Sequence, residues 1–308
     1  MVKMRLIVLM ASCIVSAGGS LSAGQGGSSG MALRQINSVR AYGRGDAVCA
    51  LRADAEALYR NPAGISCVRR GTVRAGFVQG ITGDDGVGVI DVVKPLGEKR
   101  SWGASCGYYT GGDIELIASD GTIRTVQSQQ DYLFSLAYAF ALYSWPLDGY
   151  VSYGMKYTFL HSTMVQDFSA AAHAADVGVQ FEKRELEKPV HSLGLSLQNA
   201  GSGLKYSLET NRLPLRLCAG YCRYYKRLQA EIDVVRDLND ERTRWHLGAA
   251  YSANERFLLR GGYKAGYDLE SFTAGCSIAV GHDQSIDYAF GFMGTLGLRH
   301  LLSFEIKL

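Results

Sequence analysis

Long hydrophobic runs are the first thing missing. Past residue 23 no stretch reaches the roughly 18 uninterrupted apolar residues of a membrane-spanning helix; the longest, 133–143, is short and interrupted by Ser135. Charge of one sign is missing too. The 32 Lys and Arg are nearly matched by 29 Asp and Glu, and no basic stripe occurs, which excludes a nucleic-acid binder. Proline is scarce, at 5 of 308 residues, and the 37 Gly follow no period of three, so collagen-like structure is excluded. Six histidines, at 161, 173, 191, 246, 282 and 300, show no metal-ligand spacing, and no metal or other cofactor is expected.

What is present begins with an export signal. Lys3 and Arg5 precede the apolar run 6–15 and the small-residue stretch 16–23. Residues 1–23 therefore read as a signal peptide, with cleavage after Ala17 or Ala23. Met10-Ala11-Ser12-Cys13 is a loose lipoprotein-type alternative whose apolar run is very short. Export without a helical anchor leaves two architectures, a soluble exported β-protein or an outer-membrane β-barrel.

Periodicity chooses between them. Across 147–164, Val151, Tyr153, Met155, Tyr157 and Phe159 alternate with Ser152, Gly154, Lys156 and Thr158. The same split recurs in 122–142, and at the C-terminus Leu302, Phe304, Ile306 and Leu308 alternate with Ser303, Glu305 and Lys307. One such strand would suit a soluble sandwich equally well. Fifteen such segments lie between 72 and 308, and the weakest is 203–209. Setting that one aside leaves fourteen, an even number as in bacterial barrels, and about 17 residues per strand with its connection, enough to cross a bilayer. The expected fold is thus all-β, a transmembrane antiparallel barrel of about 14 strands. Its inward charges include Lys156, Asp176, Arg216, Asp233, Arg260, Glu305 and Lys307, since a basic side chain facing lipid at mid-depth costs about 2–4 kcal/mol. Mutual pairing that stiffens the wall is the plainer role for them.

The segment before the first strand is different. Residues 47–65 are rich in Ala, Asp and Glu and read as a short helix stopped at Pro62, lying either inside the lumen as a plug or against the barrel rim. Its closing Asn61-Pro62-Ala63-Gly64 resembles the N-terminal signature of FadL-like outer-membrane proteins, in particular the PorV/PorQ branch. Further pieces are similar to that branch in order and spacing: Ala174-Ala175-Asp176-Val177-Gly178; Leu197-Gln198-Asn199-Ala200-Gly201 with Leu213-Pro214 and Ala219-Gly220-Tyr221; Leu259-Arg260-Gly261-Gly262-Tyr263; and Ile286-Asp287-Tyr288-Ala289-Phe290 with Leu296-Gly297-Leu298-Arg299-His300. The terminal Leu308 departs from the aromatic that barrel C-termini favour.

The resemblance implies three regions: signal peptide 1–23, plug segment 24–70 and barrel 71–308. It implies no enzyme but a channel for hydrophobic small molecules such as long-chain fatty acids, gated at Asn61, Pro62, Ala63 and Gly64. Since the lumen is polar, a greasy path would run between plug and wall, lined by Leu51, Leu58 and Ile65. The implied partners are outer-membrane lipids, a hydrophobic ligand and the barrel-assembly machinery. A secretion-system protein joins them if the chain is instead a PorV-like accessory barrel.

Other chemistries are weaker. Gly103-Ala104-Ser105-Cys106-Gly107 matches the nucleophile-elbow pattern, but no helix follows to present the serine. Six cysteines remain after the leader. Cys49 and Cys67 flank the plug motif and are either a disulfide clip or two buried thiols. Cys218 and Cys222 share a strand face about 13 Å apart, too far for a bond, and read as lumen packing.

Overall fold

The computed structural model describes residues 30–35, 38–52, 54–80, 84–117, 120–165, 168–185, 188–206 and 209–308. The expected leader, with Cys13 and both cleavage positions, lies outside the described residues.

Fourteen strands close on themselves. In chain order they are β1 (Thr72–Gln79), β2 (Asp85–Pro95), β3 (Arg100–Gly111), β6 (Gln129–Ser144), β7 (Gly149–Met164), β8 (Phe168–Glu185), β9 (Lys188–Gly201), β12 (Arg216–Tyr225), β13 (Leu228–Asp237), β14 (Thr243–Ser252), β15 (Phe257–Ala265), β16 (Phe272–Val280), β17 (Gln284–Phe292) and β18 (Leu298–Lys307). Each strand is antiparallel to the next, and the ring closes where Thr72 pairs with Lys307 and Val78 with Leu301. Closure satisfies every strand's backbone without an edge, as a bilayer interior demands. No helix among the described residues is long and apolar enough to cross a membrane.

The alternation read from the sequence sets the two faces. Leu136, Met155, Val177, Leu259, Leu302 and Phe304 stand exposed on the outside, while Ser152, Asp176, Asp233, Asp287 and Glu305 are buried inside. Aromatic pairs on the outside lie toward strand ends, among them Tyr108 with Tyr132 and Tyr263 with Phe272, as expected of side chains at a membrane–water boundary. Three outward tyrosines hydrogen-bond to histidines: Tyr157 to His173 (2.6 Å), Tyr221 to His191 (2.6 Å) and Tyr288 to His300 (2.7 Å).

The two ends differ. At the end where the ring's chain termini meet, the connections 96–99, 145–148, 226–227, 253–256 and 281–283 are tight turns. At the other end, residues 112–128 and 202–215 form long connections. Short turns face the periplasm in such barrels and long loops face outward, which fixes the orientation used below.

Two details depart from the sequence reading. The expected strand 122–142 is divided: β4 (Asp113–Ile117) and β5 (Ile123–Gln127) form a separate hairpin turning at Gly121, and β6 begins only at Gln129. The weak 203–209 piece is likewise no wall strand. It supplies β10 (Leu204–Lys205), paired with β11 (Thr210–Asn211), in a connection that tucks inward and buries Leu204.

Candidate functional site

The N-terminal segment lies inside the lumen as a plug. It comprises α1 (Met31–Gln35), α2 (Val39–Gly43) and two 3-10 turns, Ala55–Tyr59 and Pro62–Cys67. The expected single helix over 47–65 is therefore two short turns with extended chain before them, and Pro62 opens the second turn rather than stopping a helix. The reason is local: Ser38, Asp54 and Asn61 each cap a turn by accepting a backbone N–H, and Pro suits the first position of a turn.

Irregular backbone at membrane depth must find all its hydrogen bonds in protein. The inward side chains of the wall supply them. Asp233 accepts from Val48 N and Cys49 N (both 2.9 Å), and Glu231 accepts from Ala50 N at 2.7 Å. Gln180 and Ser192 donate to the Ala50 carbonyl, and Ser196 and Gln198 to that of Arg60. Lys156 donates to the Leu58 carbonyl at 3.1 Å while pairing with Asp176 at 2.6 Å. Asn61, fully buried, donates to the Cys49 carbonyl at 2.8 Å and to Val179 O of the wall at 3.3 Å.

The wall also makes room. Gly154 pairs with Gly178 across β7 and β8, Gly194 with Gly220 across β9 and β12, and Gly248 with Gly262 across β14 and β15. A Cβ at Gly154 would overlap the backbone of Pro62 and Ala63, and one at Gly262 would overlap Gly45. The plug is thus seated at glycine pairs where side chains on either strand would exclude it.

Ion pairs complete the seat. Arg40 reaches Asp287 and Glu305, both at 3.0 Å; Arg52 pairs with Glu182; Arg74 of the wall binds Glu56 and Asp91; and Lys264 binds Asp46 at 2.6 Å. Burial alone would raise the Asp46 carboxyl, but Lys264 and Arg60 outweigh it and hold that carboxyl well below the usual range. Glu56 is the opposite case. Burial pushes it up to about 7, because Arg74 is shared with Asp91 and compensates only in part.

Apolar surface is divided by depth. Toward the outer end the lumen is lined by Val78, Val87, Val89, Leu133, Leu160 and Leu301, which pack with Leu204 and Leu213 of the tucked-in connection around Ala32, Leu33 and Tyr42 of the plug. The apolar positions at the outer end belong mainly to β1, β2, β6, β7 and β18; on the facing side of the lumen the same depth carries charges, among them Arg216, Asp237, Arg244 and Lys264. Toward the periplasmic end a cavity of about 580 Å³ is lined by Arg40, Arg44 and Leu51 of the plug and by β15 and its neighbours, including Leu258 and Arg260.

Of the residues singled out from the sequence, Asn61, Pro62, Ala63 and Gly64 lie together against β7 and β8. Lys156, Asp176, Arg216, Asp233, Arg260 and Glu305 face inward, the first two paired with each other and Arg216 with Asp237 at 3.3 Å. Lys307 sits exposed at the periplasmic rim. Leu51, Leu58 and Ile65 are not brought into one path. Leu51 lines the periplasmic cavity, whereas Leu58 and Ile65 are packed solidly against Val93, Ala137 and Ala139. The outer apolar cluster of Val78, Leu133, Leu160 and Leu301 escaped sequence reasoning; its signal is alternation lapsing into apolar residues on both faces at the same end of neighbouring strands.

Of the two readings of Cys49 and Cys67, the structure has no disulfide clip. Both are free; Cys49 packs on Cys218 and Val235, and Cys67 contacts Arg52. The Cys49 thiol is pushed up by its hydrogen bond to Cys218 and by burial. Cys218 and Cys222 are both buried in the lumen. Gly103 to Gly107 lies within β3, where Ser105 approaches the Tyr59 hydroxyl at 3.3 Å. Among the described residues no group of His, Cys, Asp or Glu is arranged to hold a metal ion.

By sequence the chain matches no protein-family model and no curated protein. Its fold has solved counterparts. The toluene transporter TbuX of Ralstonia pickettii superposes with a TM-score of 0.64 at 13% identity, covering 91% of this chain and all of that one. The toluene transporter TodX of Pseudomonas putida gives 0.63 at 13% identity, covering 90% and 99%. A FadL homologue from Pseudomonas aeruginosa gives 0.53 at 10% identity, covering 88% and 98%. At these identities the likeness establishes the fold, and with the apolar outer wall it defines the class: an outer-membrane β-barrel whose lumen holds an N-terminal plug.

Proposed function

We propose that this barrel is a channel for hydrophobic small molecules, entered from the outer end and gated by the plug. The observation that carries the reading is the apolar cluster at the outer end of the lumen, which packs around α1. Facing Val78, Val87, Leu133, Leu160 and Leu301 into the lumen is unlike the polar interior of a water-filled porin, and the space they would line once α1 moves away suits a cargo without polar groups. Ala32 and Leu33 of α1 occupy that space, so displacing α1 would open it. The solved counterparts TbuX and TodX carry the name toluene transporter, which supports hydrocarbon-like cargo; the FadL-like signature extends the range to long-chain fatty acids. Outer-membrane lipids and the barrel-assembly machinery are the partners this reading requires.

Photolabelling tests it. Lipid-reconstituted protein is exposed to an apolar diazirine and mapped by mass spectrometry. Labels on the inward residues Leu133, Leu160 and Leu301, competed by toluene or by a long-chain fatty acid, support the channel and identify the cargo class. Labels confined to outward residues sink it.

One feature favours the alternative, a PorV-like accessory barrel. The β4–β5 hairpin stands at the outer end with Ile114, Leu116, Ile117 and Ile123 exposed, Ile117 by 73%, as a protein-binding element would be. Stoichiometric co-purification of a secreted or surface protein, lost on Ile117→Asp with Ile123→Asp, would support that role.

A further inference from the structure

The periplasmic cavity has a chemistry the hydrophobic route does not use. Seven cations line it, Arg40, Arg44, Arg52, Arg227, Arg256, Arg260 and Lys307, against two carboxylates, Asp54 and Glu255. Behind the lining, Arg40 is taken up by Asp287 and Glu305, and Arg52 by Glu182. Arg260 gives one nitrogen to Ser277 and Asp287, leaving Nε and Nη1 without partners, and it is 7% exposed. Arg44, 5% exposed, has Gln229 Oε1 as its side-chain partner at 3.4 Å, and its Nε has none. Among the described residues no ion pair within 4.0 Å engages Arg44, Arg227, Arg256 or Lys307, although Glu231 attracts Arg44 and Asp283 attracts Lys307 from farther away. Buried guanidinium nitrogens without hydrogen-bond partners are costly, and here they sit beside space large enough for a small ligand.

We propose that this vestibule is a binding site for a phosphate-type dianion. Arg44 approaches from the plug, Arg260 from β15, and Arg256 and Lys307 from the rim, so donors converge from separate walls. A planar carboxylate has two oxygens to offer; a phosphate monoester or inorganic phosphate has three or four and carries the second charge. Leu51, Leu258 and Tyr224 supply the apolar remainder of the lining. Because Arg40, Arg44 and Arg52 belong to the plug and Arg260 to the wall, the bound anion ties the two together. The same chemistry is offered by soluble phosphate compounds and by the phosphate monoester headgroup of a phosphatidic acid in the inner leaflet.

The test is calorimetry on the intact barrel in a non-ionic detergent, with inorganic phosphate, dihexanoyl phosphatidic acid and acetate as titrants. Phosphate and the short lipid should both bind, and acetate at least tenfold more weakly. Binding of the short lipid without phosphate also supports the site and assigns it to a headgroup. Arg44→Gln should weaken binding about tenfold, as should Arg256→Ser with Lys307→Ser. The latter pair is exposed and leaves the fold intact, which heat-modifiable gel migration verifies. Bound phosphate should also slow proteolysis of the plug. Absence of binding by both phosphates, equal binding of acetate, or binding unchanged in both variants overturns the site, as does an acidic peptide binding where phosphate does not. None of these readouts depends on transport.

Discussion

Gly154 and Gly178 face one another across β7 and β8, and the space their absent side chains leave is filled by Asn61, Pro62 and Ala63. A Cβ at Gly178 would overlap the Asn61 side chain that ties plug to wall. The plug motif and the wall motif are therefore two halves of one contact.

Gly154→Val should expel the plug while leaving the barrel closed. Overpacking typically costs about 1–3 kcal/mol, and here the clash is with backbone that has no rotamer to yield. Limited proteolysis should cut within residues 47–65 at least tenfold faster than in the parent. Heat-modifiable migration should be retained, because the strand ladders are untouched.

Asn61→Ala removes one turn cap and two donations to buried carbonyls, Cys49 O and Val179 O. A buried acceptor left unpaired costs about 1–3 kcal/mol, and loss of a cap about 1. Hydrogen exchange should show residues 48–52 and 61–67 opening at least tenfold more often. The outer strands β1 and β18 should be unaffected.

Glu56 makes plug docking pH-dependent. Its pKa is raised from the ordinary value near 4.5 to about 7 by burial, so the docked state holds the proton more tightly than an undocked, hydrated plug. That contribution is complete below about pH 4.5 and is lost as pH rises through 7, up to about 3 kcal/mol in all. Proteolysis of the plug should therefore be slower at pH 5 than at pH 8. Glu56→Gln, which keeps a neutral side chain at every pH, should flatten the profile.

How far the sequence is legible follows from backbone regularity. Strand faces could be read because Tyr153, Met155 and Tyr157 alternate with Gly154, Lys156 and Thr158, and in a closed sheet that pattern has one meaning once repeated. The plug was legible as a motif, Asn61 to Gly64, but not as a conformation. Its shape is dictated by donors and acceptors brought from β7, β8, β9 and β13, such as Lys156, Gln180, Ser196 and Asp233, far away in sequence. Leu58 and Ile65 looked like a path because apolarity alone does not separate a lining from a packed contact; Val93, Ala137 and Ala139 decide the matter. The cluster of Leu133, Leu160 and Leu301 was hidden for a related reason. Inward apolar residues at one end of a strand merely weaken its alternation, and the meaning emerges only when neighbouring strands align those lapses.

The proposed route depends on its apolar residues. Leu160 is fully buried in the apolar cluster at the outer end, and Leu160→Asp would place an unpaired carboxylate there. Hydrophobic influx should fall at least tenfold in that variant. Leu136→Ala, on the outer face, should leave influx unchanged.

The most direct test of the central claim is influx itself. Labelled toluene and a labelled long-chain fatty acid are supplied to vesicles with lipopolysaccharide in their outer leaflet, carrying either the intact barrel or a chain lacking residues 30–35. A plug-gated hydrophobic channel gives faster entry than protein-free vesicles and a further rise when α1 is removed from the apolar cluster. Entry no faster than into protein-free vesicles by either form, with both barrels shown to be folded, would contradict it.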